Sequence, residues 1–534
     1  MRATMMTTPL TVTPILRRAA KLFGDIEIVS RRPDKSLHRA TYADFVAQSA
    51  QLAGALRKAG LQPGDRVATL MWNHVEHMAA YFGIPCAGGV LHTLNLRLHP
   101  DEIAYIANHA KDRFLLVDDC LLPLFAKFRA QVPFEKVIVV GNAPAGETSW
   151  TDFLATAPAG AEALAALPDL DENAPLGMCY TSGTTGKPKG VVYSHRSTVL
   201  HSMAVSMVDC LALSQRDTLL PVVPMFHANA WGIPYAAVMA GSKLVMPGPH
   251  LDPLSLLELM ERERVTCAAG VPTIWAGILE QLEKQKRPLV PNCRMIVGGS
   301  AAPESMIRAF DALGLRVIHA WGMTETSPLG SVAHPRTTDT TTVDSAYAAR
   351  ARQGYPCPMI EIRAIGESGD EIAWDDHAQG ELHVRGPWVA ASYHERPDAG
   401  DRWTADGWFM TGDVVSISPT GSLRIVDRSK DVIKSGGEWI SSVDLENALV
   451  AHPAVREAAV VAVPHPKWAE RPLAVVVLKD GAAASADDLR TFLGEKFAKF
   501  QLPDAVVFVD AIPKTSTGKL LKSALRDRYA DWKW

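Results

Sequence analysis

Residues 180–190 read Tyr-Thr-Ser-Gly-Thr-Thr-Gly-Lys-Pro-Lys-Gly and follow the apolar run Leu-Gly-Met-Cys at 176–179. Four serine and threonine side chains with three glycines bury almost nothing, so this segment is no part of a core. Glycine lets successive backbone N–H groups converge on one anion. Thr181, Ser182, Thr184 and Thr185 add hydroxyl donors, and Lys187 and Lys189 add positive charge. Such a loop suits a triphosphate or a pyrophosphate. It is not a Walker A loop, which needs four residues before its Gly-Lys and a Ser or Thr after it. Here only Thr184 and Thr185 separate Gly183 from Gly186, and Pro188 follows Lys187.

Outward from this loop the hydrophobic pattern alternates between helix and strand periods. Residues 45–58 carry apolar side chains at helical spacing, Gly60 and Pro63-Gly64 break it, and 66–71 (RVATLM) reads as a buried strand. Residues 77–88 are again helix-like, and 113–117 (RFLLV) and 136–140 (KVIVV) are short β-branched runs. Further strands are expected near 218–223, 243–246, 295–297 and 317–319. This βαβ rhythm predicts an α/β fold with parallel sheets covered by helices. From 354 to 424 the short runs IEIRAIG, GELHVRG and GSLRIVD follow one another with Gly-rich turns, which predicts a small antiparallel sheet or barrel. After 428 the pattern resets: a helix at 443–451, strands EAAVVAV and LAVVVL, a helix at 489–500 and a strand AVVFVD predict an α+β domain. The boundary is expected in the charged segment 427–431, giving domains 1–427 and 428–534.

Composition narrows the function. The 534 residues allow two to four domains at about 150 residues each. The net charge is −4, which argues against a nucleic-acid coat or a polybasic membrane binder. No apolar run approaches the ~18 residues of a membrane span. Residues 1–18 lack the apolar stretch of a secretory signal. The seven cysteines are scattered without a C-x-x-C pair, which predicts reduced thiols in a cytoplasmic setting. His74-Val75-Glu76-His77 is one residue short of H-E-x-x-H with its Glu misplaced, so a metal hydrolase is not expected.

The phosphate loop resembles that of the adenylate-forming (ANL) superfamily: acyl-CoA synthetases, aryl-CoA ligases, peptide-synthetase adenylation domains and beetle luciferases. Further segments resemble that family's motifs in the family's order. His319-Ala320-Trp321-Gly322-Met323-Thr324-Glu325 is similar to its adenine motif, with Trp321 where Tyr is usual. The resemblance implies stacking of Trp321 on adenine, phosphate or metal contacts from Thr181 and Thr324, and magnesium on Glu325. Gly298-Gly299-Ser300-Ala301-Ala302-Pro303 is a turn of small residues against which a flat ligand can lie. The resemblance puts adenine beside Gly299, Ser300 and Ala301, and the acyl group beside Gly298, Gly299 and Pro328. Thr411-Gly412-Asp413 resembles the ribose motif, with Asp413 accepting from the ribose hydroxyls. Asp427-Arg428-Ser429-Lys430-Asp431 resembles the hinge motif, although Asp427 replaces the commoner Gly. Arg428 would contact ribose and Lys430 would mark the hinge. Lys434-Ser435-Gly436-Gly437-Glu438 is similar to the turn beside the pantetheine path of CoA, and residues 513–520 (PKTSTGKL) resemble the last motif, whose lysine is Lys519.

The resemblance spans about residues 41–522 and implies a large N-terminal domain of stacked α/β sheets plus a small β-barrel, with a mobile C-terminal α+β domain. It implies an AMP-forming acyl-CoA ligase using ATP, Mg2+ and coenzyme A. Lys519 would act in adenylate formation, and rotation about Lys430 would then bring in the turn at 434–438 for the thiol. Residues 224–232 (PMFHANAWG) bear on the acid. They offer no carboxylate for an amino acid's ammonium and look most like those of medium- and long-chain fatty acyl-CoA synthetases and 3-methylmercaptopropionate-CoA ligases. Trp231 would gate the acyl tunnel and His227 would sit near the carboxylate. An aryl or cinnamate CoA ligase and a carrier-protein-loading adenylation enzyme are the alternatives. The resemblance also raises a homodimer.

Overall fold

The computed structural model describes residues 1, 3–181, 187–285, 289–435, 438–515 and 519–534. Among them the strands form four sheets. One runs in the order Thr148–Ser149, Lys136–Val140, Asp112–Asp118, Arg66–Leu70, Val90–Thr93, Pro175–Tyr180, Gly190–Ser194. Its neighbours pair in parallel except at the last step, where Pro175–Tyr180 and Gly190–Ser194 are antiparallel. Tyr180 and Gly190 are therefore paired at the open end of an edge hairpin. The base of the phosphate loop is closed by the Thr181 N–H donating to the Lys189 carbonyl at 2.9 Å.

The second sheet runs Tyr355–Pro356, Leu329–Val332, Arg316–Gly322, Arg294–Val297, Cys267–Gly270, Thr218–Pro221, Lys243–Met246, Glu27–Arg31, Leu37–Thr41. Its six middle strands are parallel, and antiparallel pairs finish both margins. The continuous apolar runs are what two covered faces require. Helices supply the cover. Tyr42–Lys58 starts on a capping box between Thr41 and Asp44 and lies on the helix Val75–Cys86. The two approach so closely at Gly83 that a Cβ there would sit 2.7 Å from the Ser49 carbonyl oxygen. One contiguous core joins Phe45, Tyr81, Trp231, Ile296 and Leu329, so both sheets share it.

Where a small antiparallel sheet or barrel was expected, Glu361–Ile365, Gly380–Arg385, Phe409–Ile417 and Leu423–Arg428 form an antiparallel sheet in that order. The chain then enters a smaller C-terminal domain. Its sheet is built on the long hairpin Val455–His465 and Ala469–Leu478, with Ala505–Phe508 parallel to the latter. The helix expected at 489–500 is Ala486–Gly494 instead: Ser485 and Asp488 form a capping box that sets its start, and 499–501 is a separate 3-10 turn. No helix among the described residues is long and apolar enough to cross a membrane. Six of the seven cysteines are buried and Cys120 is exposed. His74, placed in a doubtful metal motif, pairs with Asp118 at 2.8 Å and Glu76 at 2.9 Å. The described residues hold no group of three or more His, Cys, Asp and Glu that could take a metal.

Candidate active site

The ladder of the four-stranded sheet sets Asp413 directly opposite Arg428. Arg428 Nε forms an ion pair with Asp413 Oδ1 at 2.9 Å. The second carboxylate oxygen, Oδ2, accepts from Trp321 Nε1 at 2.9 Å. Asp413 is 2% exposed, so this carboxylate sits in a dry setting against one cation and one indole N–H. Trp321 sits near the end of the strand Arg316–Gly322 and is buried among Leu382, Phe409 and Val415. Two glycines make its place. A Cβ at Gly330 would lie 2.3 Å from the indole, and one at Gly322 would lie 1.8 Å from the Pro328 carbonyl oxygen. His319 and Ala320, in the same strand, are buried. The His319 ring contacts two backbone groups, Ala302 N–H at Nε2 and the Ala351 carbonyl at Nδ1. The carbonyl can only accept, which fixes the proton on Nδ1. His319 therefore braces the turn at Ser300, Ala301 and Ala302. Burial holds its pKa down to about 4.

Met323 and Thr324 lead into Glu325, which is buried in a 3-10 turn. Tyr393 Oη donates to Glu325 Oε1 at 2.6 Å, and Tyr193 Oη donates to the Thr324 carbonyl at 2.9 Å. The Lys189 ammonium lies over the Tyr393 ring at 4.9 Å. Tyr393 thus touches both a phosphate-loop lysine and the acidic residue. Sequence reasoning missed it, because an isolated tyrosine in an irregular stretch carries no spacing signal.

Lys519 reaches this cluster from the C-terminal domain. Its own turn is closed by Thr515 N–H to the Lys519 carbonyl at 2.7 Å and Lys519 N–H to Thr515 Oγ1 at 3.1 Å. Its side chain runs along Gly299, whose φ is +81°: a Cβ there would meet Lys519 Cε at 3.1 Å and Nζ at 3.8 Å. Burial first, and then Arg428, lower its pKa to about 8, against the pull of Asp413 and Glu325. His227 faces the same ammonium. Burial, Lys519 and Arg97 hold its pKa down to about 3, so its imidazole is neutral.

After His227 the backbone does something unusual. Ala228, Asn229, Ala230 and Trp231 have φ of 42°, 52°, 48° and 58°, and Gly232 follows at 72°. Five successive residues make a left-handed turn that costs L-residues about 1–2 kcal/mol each. Its ends are held. Asn229 Oδ1 accepts from Cys179 Sγ at 3.1 Å, beside the phosphate loop. Gly232 leaves no room for a Cβ, which would lie 2.6 Å from the His201 ring. Trp231 is brought against Gly298, where a Cβ would meet the indole at 3.0 Å. His201 Nε2 accepts from Leu329 N–H at 3.2 Å, next to Pro328 in its cis peptide. Gly298, Trp231, Pro328 and His201 are thereby gathered into one wall.

The structure thus brings Gly298, Gly299, Trp321, Glu325, Asp413, Arg428, His227, Trp231 and Lys519 together. The hinge-side residues stand apart from them. Lys430 is exposed. Lys434 has its ammonium 3.6 Å from Glu367 and 5.2 Å from the Trp439 ring, and Ser435 Oγ accepts from Arg471. Glu438 pairs with Ser435 across the hairpin Ile433–Ser435 and Glu438–Ile440. Ser182, Gly183, Thr184, Thr185, Gly186, Gly436 and Gly437 lie outside the described residues.

Two family models match this chain: AMP-binding enzyme over residues 16–394, and AMP-binding enzyme C-terminal domain over residues 444–519. A long-chain-fatty-acid–CoA ligase of Thermus thermophilus is 48% identical, covering 99% of this chain and 97% of its own length. A 3-methylmercaptopropionyl-CoA ligase of Ruegeria pomeroyi is 44% identical, covering 99% and 98%. Among solved structures, ATP-bound MatB from Rhodopseudomonas palustris superposes with a TM-score of 0.81 at 28% identity, covering 98% of this chain and 99% of that one.

Proposed function

This chain belongs to the AMP-binding enzyme family, where it is an AMP-forming acyl-CoA ligase using ATP, Mg2+ and CoA; from that premise we propose that its acid is apolar, a medium- or long-chain fatty acid or 3-methylmercaptopropionate. The observation that carries the reading is the Trp231 indole packed on Gly298 one residue from the Gly299–Lys519 contact. An acid whose carboxylate meets Lys519 at that point must lay its tail along Trp231. The wall there is indole, aliphatic and neutral imidazole, with burial holding His201 at about 3. Trp231, Gly298, Pro328 and His201 themselves carry no charge for an ammonium or a second carboxylate.

The residues then divide the work. Asp413, fixed by Trp321 and Arg428, would accept from the ribose hydroxyls and set the nucleotide's register. Ser300 and Ala301, braced by His319, would line the adenine. Lys189 and the loop hydroxyls would take the outer phosphates. Glu325 and Thr181 offer the hard oxygen donors that Mg2+ takes, and Tyr393 orients Glu325, so the donor set fits that ion. When bound, the ion supplies charge neutralisation on the phosphate oxygens. Lys519 would draw the acid's carboxylate onto the α-phosphate as pyrophosphate leaves, by position and charge together. The neutral His227 can contact the carboxylate without competing for its charge. Lys519 and the turn at 434–438 both belong to the C-terminal part of the chain. Rotation about Lys430 would withdraw the first and bring in the second, so that the CoA thiolate attacks the adenylate and AMP leaves.

The domain division at 427/428 is part of the same reading, as are a cytoplasmic setting and a homodimer, which light scattering of the purified protein tests. The deciding experiment is AMP release measured across C2 to C18 fatty acids, 3-methylmercaptopropionate and cinnamates, with and without CoA. CoA-dependent AMP formation with an apolar acid is expected. Preference for a cinnamate, or turnover independent of CoA, would overturn it.

A further inference from the structure

Two consecutive residues of the strand Leu423–Arg428 face opposite ways, as strand geometry requires. Arg428 points to Asp413. Asp427 points to the C-terminal domain and is 1% exposed. Its Oδ2 accepts from Ser442 N–H at 2.7 Å and from Ser442 Oγ at 2.5 Å. Ser442 opens the helix Ser442–Val450, whose first N–H groups have no partner within the helix. The helix has its own N-cap in Ser441, whose hydroxyl accepts from Asp444 N–H at 3.0 Å; Asp427 adds a carboxylate from the other domain at the first helical N–H, at the positive end of that helix's dipole.

The contact continues inward. Ser442 Oγ lies 2.6 Å from the ammonium of Lys522, which pairs with Glu446 at 2.7 Å. Glu446 in turn accepts from Val460 N–H at 2.8 Å. Lys522 is three residues beyond Lys519. Around this buried chain of bonds, Ser441 Oγ donates to the Val426 carbonyl, Arg424 pairs with Asp444, and Arg526 pairs with Asp431. Asp427 is thus joined through one serine and one lysine to the segment that carries Lys519.

We propose that Asp427 is a positioning residue which, through Ser442 and Lys522, latches the C-terminal domain in the orientation that delivers Lys519 to Gly299. The proposal rests on the two-step reading given above. Asp427 lies on the large-domain side of Lys430 and Ser442 and Lys522 lie beyond it, so rotation there parts the carboxylate from the helix start it binds. The latch favours adenylate formation and has to open before the thiol step. Removing it shifts the population away from the adenylating orientation, and leaves the second orientation untouched.

The test separates the two half-reactions in the full-length enzyme. Asp427→Ala should lower acid-dependent ATP–pyrophosphate exchange about tenfold, the effect of one lost bond to a charged group. Thioester formation from synthetic acyl-adenylate and CoA should hold at the wild-type rate or rise. Asp427→Asn keeps an acceptor for Ser442 and should recover part of the exchange rate. Ser442→Ala and Lys522→Met should show the same one-sided loss, and they carry the test if Asp427→Ala does not fold. Equal losses in both half-reactions, or exchange within twofold of wild type, would overturn the latch. Absence of exchange in the wild type with every acid would instead overturn the functional reading, so the two failures are distinguishable.

Discussion

The indole Nε1 of Trp321 donates to Oδ2 of Asp413 at 2.9 Å, while Arg428 holds the other oxygen. The residue proposed to stack on adenine therefore also fixes the carboxylate proposed to hold the ribose, a role that a phenylalanine ring cannot fill. A hydrogen bond to a buried charged group is worth about 1.5–3 kcal/mol. Trp321→Phe is expected to raise the KM for ATP by about tenfold to a hundredfold, with a much smaller change in the KM for the acid. Initial-rate measurements at varied ATP and fixed acid check this.

Lys519 sits below the usual lysine range because it is buried beside Arg428. Its charged form is the one that can neutralise the reacting oxygens, so the sign is clear: kcat/KM for ATP should fall as pH rises through about 8, the value held in the free enzyme. Bound polyphosphate adds negative charge and raises that pKa, so kcat should persist to higher pH. Lys519→Arg should remove the alkaline limb while lowering the rate. Pyrophosphate exchange from pH 6 to 10 distinguishes these profiles.

Lys519→Ala should slow adenylate formation by about a hundredfold or more, the scale of a lost electrostatic stabiliser. Unchanged exchange in that variant would remove Lys519 from the mechanism.

Trp231→Ala opens space against Gly298. It should cost about 3–5 kcal/mol of stability as a large-to-small change in a core. Acid preference should move toward bulkier chains, and the KM for ATP should stay near wild type. An acid panel together with thermal unfolding checks both halves.

Ala230 has φ of 48° between two other left-handed residues. Glycine adopts that conformation without the Cβ penalty. Ala230→Gly should therefore be neutral to stabilising by about 1 kcal/mol, opposite to the usual sign of Ala→Gly. A lower unfolding midpoint for this variant would show that the turn is not strained.

Much of this molecule is legible from the chain. Strands such as Lys136–Val140 and Lys243–Met246 stand where short apolar runs predict them, because two covered faces demand continuous apolar residues. The site residues that could be read were those in runs of unusual composition, such as Gly298-Gly299 and Gly518-Lys519. What escaped depends on distance in sequence. The clasp of Tyr393 on Glu325 joins residues 68 apart, and Asp427 on Ser442 needs a helix start to meet a strand end. The left-handed turn at 228–232 was invisible because three of its five residues, Ala228, Ala230 and Trp231, are ones that normally avoid it. The pull of His319 toward the backbone was also hidden, since a motif gives a residue's place and not the direction of its ring.

The placement of the thiols bears on the enzyme's own survival. Its product is an acyl thioester, an electrophile for any thiolate nearby. Six cysteines are buried, and burial together with Asp118 and Asp119 lifts the exposed Cys120 to about 12. The exposed thiol is thereby kept a poor nucleophile toward the thioester that the enzyme makes.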